Sequence, residues 1–469
     1  MSLKIDKRSC RSVLLGALWT YILLCFLFGG ASREWLHFHY FLQAGAALGI
    51  ALLVFTWPRH ISFAPVRIPI AILGAVALIG ALQLVPLPVD VWSSLPGRAE
   101  ILIGFDSLEV TASTLPLSLD QTATLSGLGY PLTPLFVLLL CVRIGIDHLQ
   151  TSALLLLSLI AVSSATFGLV QVLGGRNAAL YFYDNTNVGS PVGLFANVNH
   201  FAAALLTLVP FTCLLLLRVL KLRKLREKRV ALSGILFAGI LLIFTGIFAA
   251  GSMAIYLLTI PILGLTLIAL HRPRASVESG LLSTIPVILV FIFGGVVAAS
   301  SPLLSGLGNT GSSEGPTSRY SIWSDTLSAT EEYWPFGSGM ATYQRVIPKF
   351  ESPEDVTSRF VALAHNEYLQ IAMELGLPGV LVIFVASIWI IFRSREVWFG
   401  TQHSASRSFK RMAVIGMLVI LLHSVVDYPS RTPAIASLIG LFAAIVSLPQ
   451  RADRNPNRDK SHQITGLVL

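Results

Sequence analysis

His365, Asn366 and Glu367 stand together in the segment Ala364–Gly379. An imidazole beside a carboxylate can take a proton from a hydroxyl. Histidine titrates close to neutrality, so it can be uncharged and accept that proton. His423 and Asp427 are four residues apart, which puts both on one helix face near the end of an apolar run. Ionisable residues in such a run are functional candidates, and the competing reading is a buried structural pair. Asn197 and His200 open another apolar run, where they either cap a helix or serve the chemistry. Arg319, Arg345, Arg359 and Arg431 are candidate phosphate ligands, because a planar guanidinium donates paired hydrogen bonds. A base near such cations suits a displacement in which a hydroxyl attacks and a phosphate leaves. No Walker A, GxGxxG or HExxH motif stands on a plausible element, so nucleotide-driven and zinc chemistry have no anchor. Cys10, Cys25, Cys141 and Cys213 lie in the N-terminal tail or in apolar blocks without CxxC spacing, so neither a disulfide nor a metal site is expected. No cofactor is expected either.

The elements that position these residues must be transmembrane helices. Of 469 residues, 54% are hydrophobic and 12% charged, against roughly 25% charged in an ordinary soluble domain. The apolar residues come in blocks of about 20, the length that spans a bilayer as a helix. Spans are expected near 13–30, 38–57, 68–85, 131–146, 151–173, 199–217, 231–250, 253–270, 282–300, 377–392, 411–427 and 432–448. The fold class is therefore all-α: a polytopic bundle of about 12 helices. The first apolar run is expected to be a signal-anchor helix rather than a cleaved leader. With the N-terminus inside, most of the 33 Lys and Arg fall on cytoplasmic segments, among them the dense run Arg218–Arg229. Merging 231–250 with 253–270 across Gly251–Ser252 would spoil that bias, so two spans are expected there. The net charge of +9 reads as this topology signal and not as a nucleic-acid footprint.

The expected organisation is an N-terminal helical region 1–150 with an outside loop at 86–130, central helices 151–300, a large periplasmic loop 301–376, C-terminal helices 377–448 and a cytoplasmic tail 449–469. The large loop opens on the Gly/Ser-rich stretch Ser305–Gly315 and carries Arg319, Trp323, Tyr333, Trp334 and Tyr343. Long loops are functional candidates; the plain alternative is a solvated cap. Its aromatic residues either stack on sugars or belong to the interfacial belt. His365 and Glu367 are expected on a short helix at the membrane surface, which Gly376, Pro378 and Gly379 then break.

His365-Asn366, nine residues, Gly376, two residues, Gly379 resembles the signature of the O-antigen ligase and polysaccharide polymerase superfamily. Gly193-Leu194-Phe195-Ala196-Asn197-Val198-Asn199-His200-Phe201 is similar to a Phe/Asn-rich turn of that family. So are Arg319 to Trp323 with Pro335-Phe336-Gly337-Ser338-Gly339, and His423-Ser424-Val425-Val426-Asp427-Tyr428-Pro429. The likeness covers roughly 160–445. It implies a GT-C-like, metal-independent, inverting glycosyltransferase of the bacterial inner membrane, with both termini cytoplasmic. Its donor would be an undecaprenyl-diphosphate-linked glycan and its acceptor a lipid A-core sugar. By this resemblance His365, Asn366 and Glu367 are catalytic, Arg319, Arg345 and Arg431 bind the diphosphate, and Asn197, His200, His423 and Asp427 support them. Many members carry an arginine after the span matching 231–250; here the turn reads Gly251-Ser252-Met253, so another cation must take its place.

Two further readings stand beside ligation. A polymerase would use a lipid-linked repeat as acceptor. A secondary transporter would use His423 and Asp427 on a proton path, although no duplicated halves are visible.

Overall fold

The computed structural model describes residues 7–32, 36–222, 226–271, 319–353, 361–400 and 406–449. The expected span 282–300, the stretch Ser305–Gly315, Arg359 and the tail 451–469 lie outside the described residues. The chain begins with α1 (Lys7–Phe28), α2 (Leu36–Phe55) and α3 (Arg67–Gln83). The segment expected as a loop then forms β1 (Pro86–Pro88), α4 (Val89–Ser93), α5 (Ala99–Ser107), β2 (Thr114–Pro116) and α6 (Gln121–Gly127). Five long helices follow: α7 (Leu132–Ile144), α8 (Ile146–Leu173), α9 (Val198–Leu220), α10 (Arg226–Ala249) and α11 (Met253–Leu270). After them come α12 (Arg319–Tyr333), α13 (Tyr343–Val346), α14 (Glu367–Phe399), α15 (Arg407–His423) and α16 (Pro433–Ser447).

Nine helical stretches among the described residues are long and apolar enough to cross a membrane. Helices α15 and α16, at 17 and 15 residues, are shorter and are buried along most of their length. Each expected span other than 282–300 coincides with a helix. Helices α10 and α11 are separate, as the charge bias required: Gly251 turns the chain at φ 73° and Ser252 is extended. In a medium without water, a helix satisfies its own backbone, which is why apolar blocks of this length fold this way. Helix α9 is the hub, with α8, α10, α11 and α15 packed around it and Phe201, Phe211 and Leu206 buried at the contacts.

A cap covers one end of the bundle. Its core is small: Ala329, Tyr333, Tyr343, Val346, Ile347, Ala364 and Met373, with Leu119 against them. Two segments distant in sequence build it: β1 pairs antiparallel with β2 within 86–130, and that region closes onto 319–353, with the Leu119 N–H donating to the Ser338 carbonyl. Tyr333 is buried here against Phe350, so it serves the core of the cap rather than a sugar or a belt.

Helix α14 links cap and bundle. Asn366 caps it by accepting from the Leu369 N–H. Gly376 breaks it at φ 62°, ψ −152°, a conformation reserved for glycine. The arm before the break does not lie on a surface: Glu367, Gln370, Met373, Glu374 and Leu375 are buried beneath the cap. A Cβ on Gly376 would stand 2.1 Å from the Pro335 carbonyl oxygen, and one on Gly337 would stand 2.5 Å from that of Glu374. The two glycine-bearing motifs therefore lock backbone to backbone. Ser338 N–H donates to Met373, Gly339 N–H to Glu374 and Leu377 N–H to Pro335.

Candidate functional site

Asp427 is the centre of the site. It follows α15 in the turn toward α16, is fully buried, and has three imidazoles around it. His200 Nε2 hydrogen-bonds Oδ1 at 3.3 Å. His365 Nδ1 lies 3.4 Å from the same oxygen, and His423 Nε2 lies 3.9 Å from Oδ2. Arg319 Nη2 is also 3.9 Å from Oδ2. The Tyr428 N–H donates to Oδ1, and the Tyr428 ring stands 4.9 Å from the rings of both His200 and His365. Four elements thus converge, from α9, α12, the entrance of α14 and the end of α15. Oδ2 accepts no hydrogen bond, and neither do His365 Nδ1 or the ring nitrogens of His423. Buried polar groups are normally satisfied, so such a concentration of unsatisfied ones marks a site kept for something other than stability.

The imidazole of His365 is 27% exposed, whereas those of His200 and His423 are sealed in. His365 also sits at φ 50°, the left-handed region that a side chain rarely adopts. Its neighbours hold it there. Ala364 N–H donates to Gln370 Oε1 on one side, and Glu367 N–H donates to the Ser424 carbonyl on the other.

Glu367 belongs to a second cluster. Arg431 donates to Glu367 Oε1 at 2.9 Å and to Glu374 Oε2 at 3.1 Å, with only 9% of its side chain exposed. Gln370 donates to Glu374 Oε1, which extends this chain of bonds to Ala364. Burial opposes the charge on Arg431, but Glu374 and Glu367 outweigh it and hold the guanidinium more firmly protonated than usual. A mostly apolar cavity of about 180 Å³ borders this cluster, lined by Val76, Ile371, Leu375, Val382 and Ile383 with His39 and Gln43.

The remaining expected residues fall elsewhere. Arg345 is largely exposed and paired with Asp120 at 3.1 Å, across the two halves of the cap. Asn366 and Asn197 are helix caps, Asn197 accepting from the Asn199 N–H. Sequence reasoning assigned nothing to Glu374, Gln370, Gln83 or Arg98. Gln83 donates to the Glu374 carbonyl and accepts from the Met340 N–H. Arg98 is fully buried and donates to the carbonyls of Pro96, Leu117 and Gly337. Burial brings its guanidinium down to about 10. Only a polar residue at the edge of an apolar run hinted at Gln83; nothing local distinguished Arg98.

Fold and site together define an all-α, multi-pass membrane protein with a buried carboxylate at the junction of bundle and cap. Residues 238–384 match the family model described as O-antigen ligase, so the resemblance carried by the His365–Gly379 motif is shown over that stretch. The match runs from within α10 into α14 and includes His365, Arg319 and Glu374; it supports a ligase- or polymerase-type function and a glycosyltransferase-like enzyme. No curated protein matches the chain at a significant level.

Proposed function

We propose that this chain transfers a glycan from undecaprenyl diphosphate to an acceptor hydroxyl, that of a lipid A-core sugar, on the periplasmic face of the inner membrane. The observation that carries the reading is the partly exposed His365 imidazole held against the buried Asp427 carboxylate, with Arg319 beside it. An ionised carboxylate only accepts hydrogen bonds, so Asp427 favours the His365 tautomer with its proton on Nδ1. Nε2 then keeps its lone pair and acts as the base. The acceptor hydroxyl gives its proton to Nε2 as its oxygen bonds to the anomeric carbon. The bond from that carbon to the diphosphate oxygen breaks, its electron pair leaves with the diphosphate, and one displacement inverts the carbon. Asp427 stabilises the imidazolium that forms.

Arg319 is the cation we assign to the leaving diphosphate, because it is half-exposed and, among the described residues, its nearest carboxylate oxygen is 3.9 Å away. Arg345 and Arg431 are already engaged by carboxylates. The link to diphosphate stores the energy for transfer, so no nucleotide is needed. Purified protein given a defined polyprenyl-diphosphate glycan and a core acceptor, without metal or nucleotide, is expected to turn over. His365→Ala is expected to lower turnover by about 100-fold or more while the protein stays folded. Full turnover by that variant would end this reading. Deleting the gene tests the acceptor: full-length lipid-linked polymer accumulates for a ligase, and single lipid-linked repeats accumulate for a polymerase.

A further inference from the structure

Two histidines address one oxygen. His200 Nε2 at 3.3 Å and His365 Nδ1 at 3.4 Å both meet Asp427 Oδ1. His200 sits in the first turn of α9, 1% exposed, with its Nδ1 buried and unpartnered. It is out of reach of solvent, so it cannot exchange a proton with an acceptor sugar. Its position is nonetheless tightly specified. Asn197 caps the helix one turn earlier, and Gln171 of α8 pins the preceding turn by accepting from the N–H groups of Val192 and Gly193. The Tyr428 ring meets the His200 ring edge-on at 83°. A histidine that only filled space would not need an N–H aimed at an otherwise underused carboxylate.

We propose that His200 is a positioning residue that, by donating to the Asp427 oxygen that His365 also uses, sets how strongly Asp427 holds the protonated form of His365. This rests on the reading of His365 as the base. Each hydrogen bond accepted by a carboxylate disperses its charge and weakens its pull on other partners. With His200 donating, Asp427 still orients His365 but pulls less strongly on its proton. The other groups facing the carboxylate are Arg319 from α12 and His423 from α15, both on Oδ2, and Tyr428 through its backbone N–H. Glu367, the nearest acid in sequence to His365, is turned away onto Arg431. On Oδ1, therefore, His200 is the only side chain beside His365 among the described residues.

The test compares His200→Phe, which keeps the ring against Tyr428 but removes the donor, with His200→Gln, whose amide nitrogen can stand where Nε2 stood. Transfer is measured across pH for wild type and both variants. Without the donor, Asp427 holds the His365 imidazolium more tightly, so the acidic limb of kcat/KM moves to higher pH, on the order of 1 unit. His200→Gln is expected to bring the limb back, and KM for the donor lipid stays the same throughout. A second measurement does not depend on turnover: the pH dependence of His365 carbethoxylation by diethyl pyrocarbonate, read by peptide mass spectrometry on the intact membrane protein. It should shift with the limb. A uniform loss of rate at every pH in both variants, or an unmoved carbethoxylation curve in His200→Phe, would overturn the proposal and reduce His200 to a packing residue. If His365→Ala retains transfer while the carbethoxylation curve still shifts, the base assignment fails and the His200–Asp427–His365 coupling survives.

Discussion

His365 and Glu367, two residues apart, lead into clusters that differ in almost every respect. The Glu367 cluster is largely closed: Arg431 is shared by two carboxylates at 2.9 and 3.1 Å, Gln370 ties one of them to the backbone, and burial is nearly complete, with Glu367 Oε2 the one carboxylate oxygen left without a hydrogen bond. The His365 cluster is open. One carboxylate faces three imidazoles and a guanidinium at 3.3 to 3.9 Å, one of its oxygens accepts no hydrogen bond, and one imidazole reaches solvent. A cluster held by short ion pairs stabilises a position; one whose contacts are long is poised to change partners. The first holds the arm of α14; the second is where we place the proposed chemistry.

Substitutions in the two clusters should therefore fail in different ways. His365→Ala should lower transfer by roughly 10²- to 10⁴-fold, the usual worth of a general base, with little change in thermal stability in detergent. Arg431→Met should do the reverse at first. It leaves Glu367 and Glu374 buried without a counter-charge, which destabilises by about 3–5 kcal/mol, read as a lowered Tm. If Arg431→Met instead gave a stable protein that bound donor poorly, the contrast would break and Arg431 would return as a diphosphate ligand. Gly376→Ala should sharpen it. The added methyl meets the Pro335 carbonyl in a backbone conformation that alanine resists, costing about 1–3 kcal/mol and loosening the cap against α14. Stability and transfer should then fall together. The smallest effect belongs to Arg345→Ala, which removes one exposed pair with Asp120 worth less than about 1 kcal/mol. A large loss of transfer there would move the diphosphate toward the cap.

Much of the site was legible because its motifs are local. His365-Asn366 with Gly376 and Gly379 was visible as a histidine ahead of a helix break, and the break is at Gly376. Asn197 caps its helix as its residue type suggests. The i, i+4 spacing of His423 and Asp427 suggested one helix face; α15 ends at His423 and Asp427 stands in the turn beyond it, yet the two side chains lie 3.9 Å apart. That His200, 227 residues before Asp427, would share its carboxylate with His365 had no local sign. Arg319, Arg345 and Arg431 looked alike as exposed cations in polar stretches. They differ because each has a different set of carboxylates within reach once folded.

The sequence by itself determined the fold class and where the apolar helices of the described residues lie, because a long apolar block in lipid satisfies its backbone as a helix; the short helices of the cap, at 86–130 and 319–346, it left as loops. It also showed which residues carry the resemblance to the O-antigen ligase family model. Only the tertiary structure decided which polar side chains meet. Hydropathy drives a helix into the bilayer without specifying its neighbours, whereas a hydrogen bond depends on distances of a few tenths of an ångström. Those distances follow from how α9, α12, α14 and α15 pack at the foot of the cap.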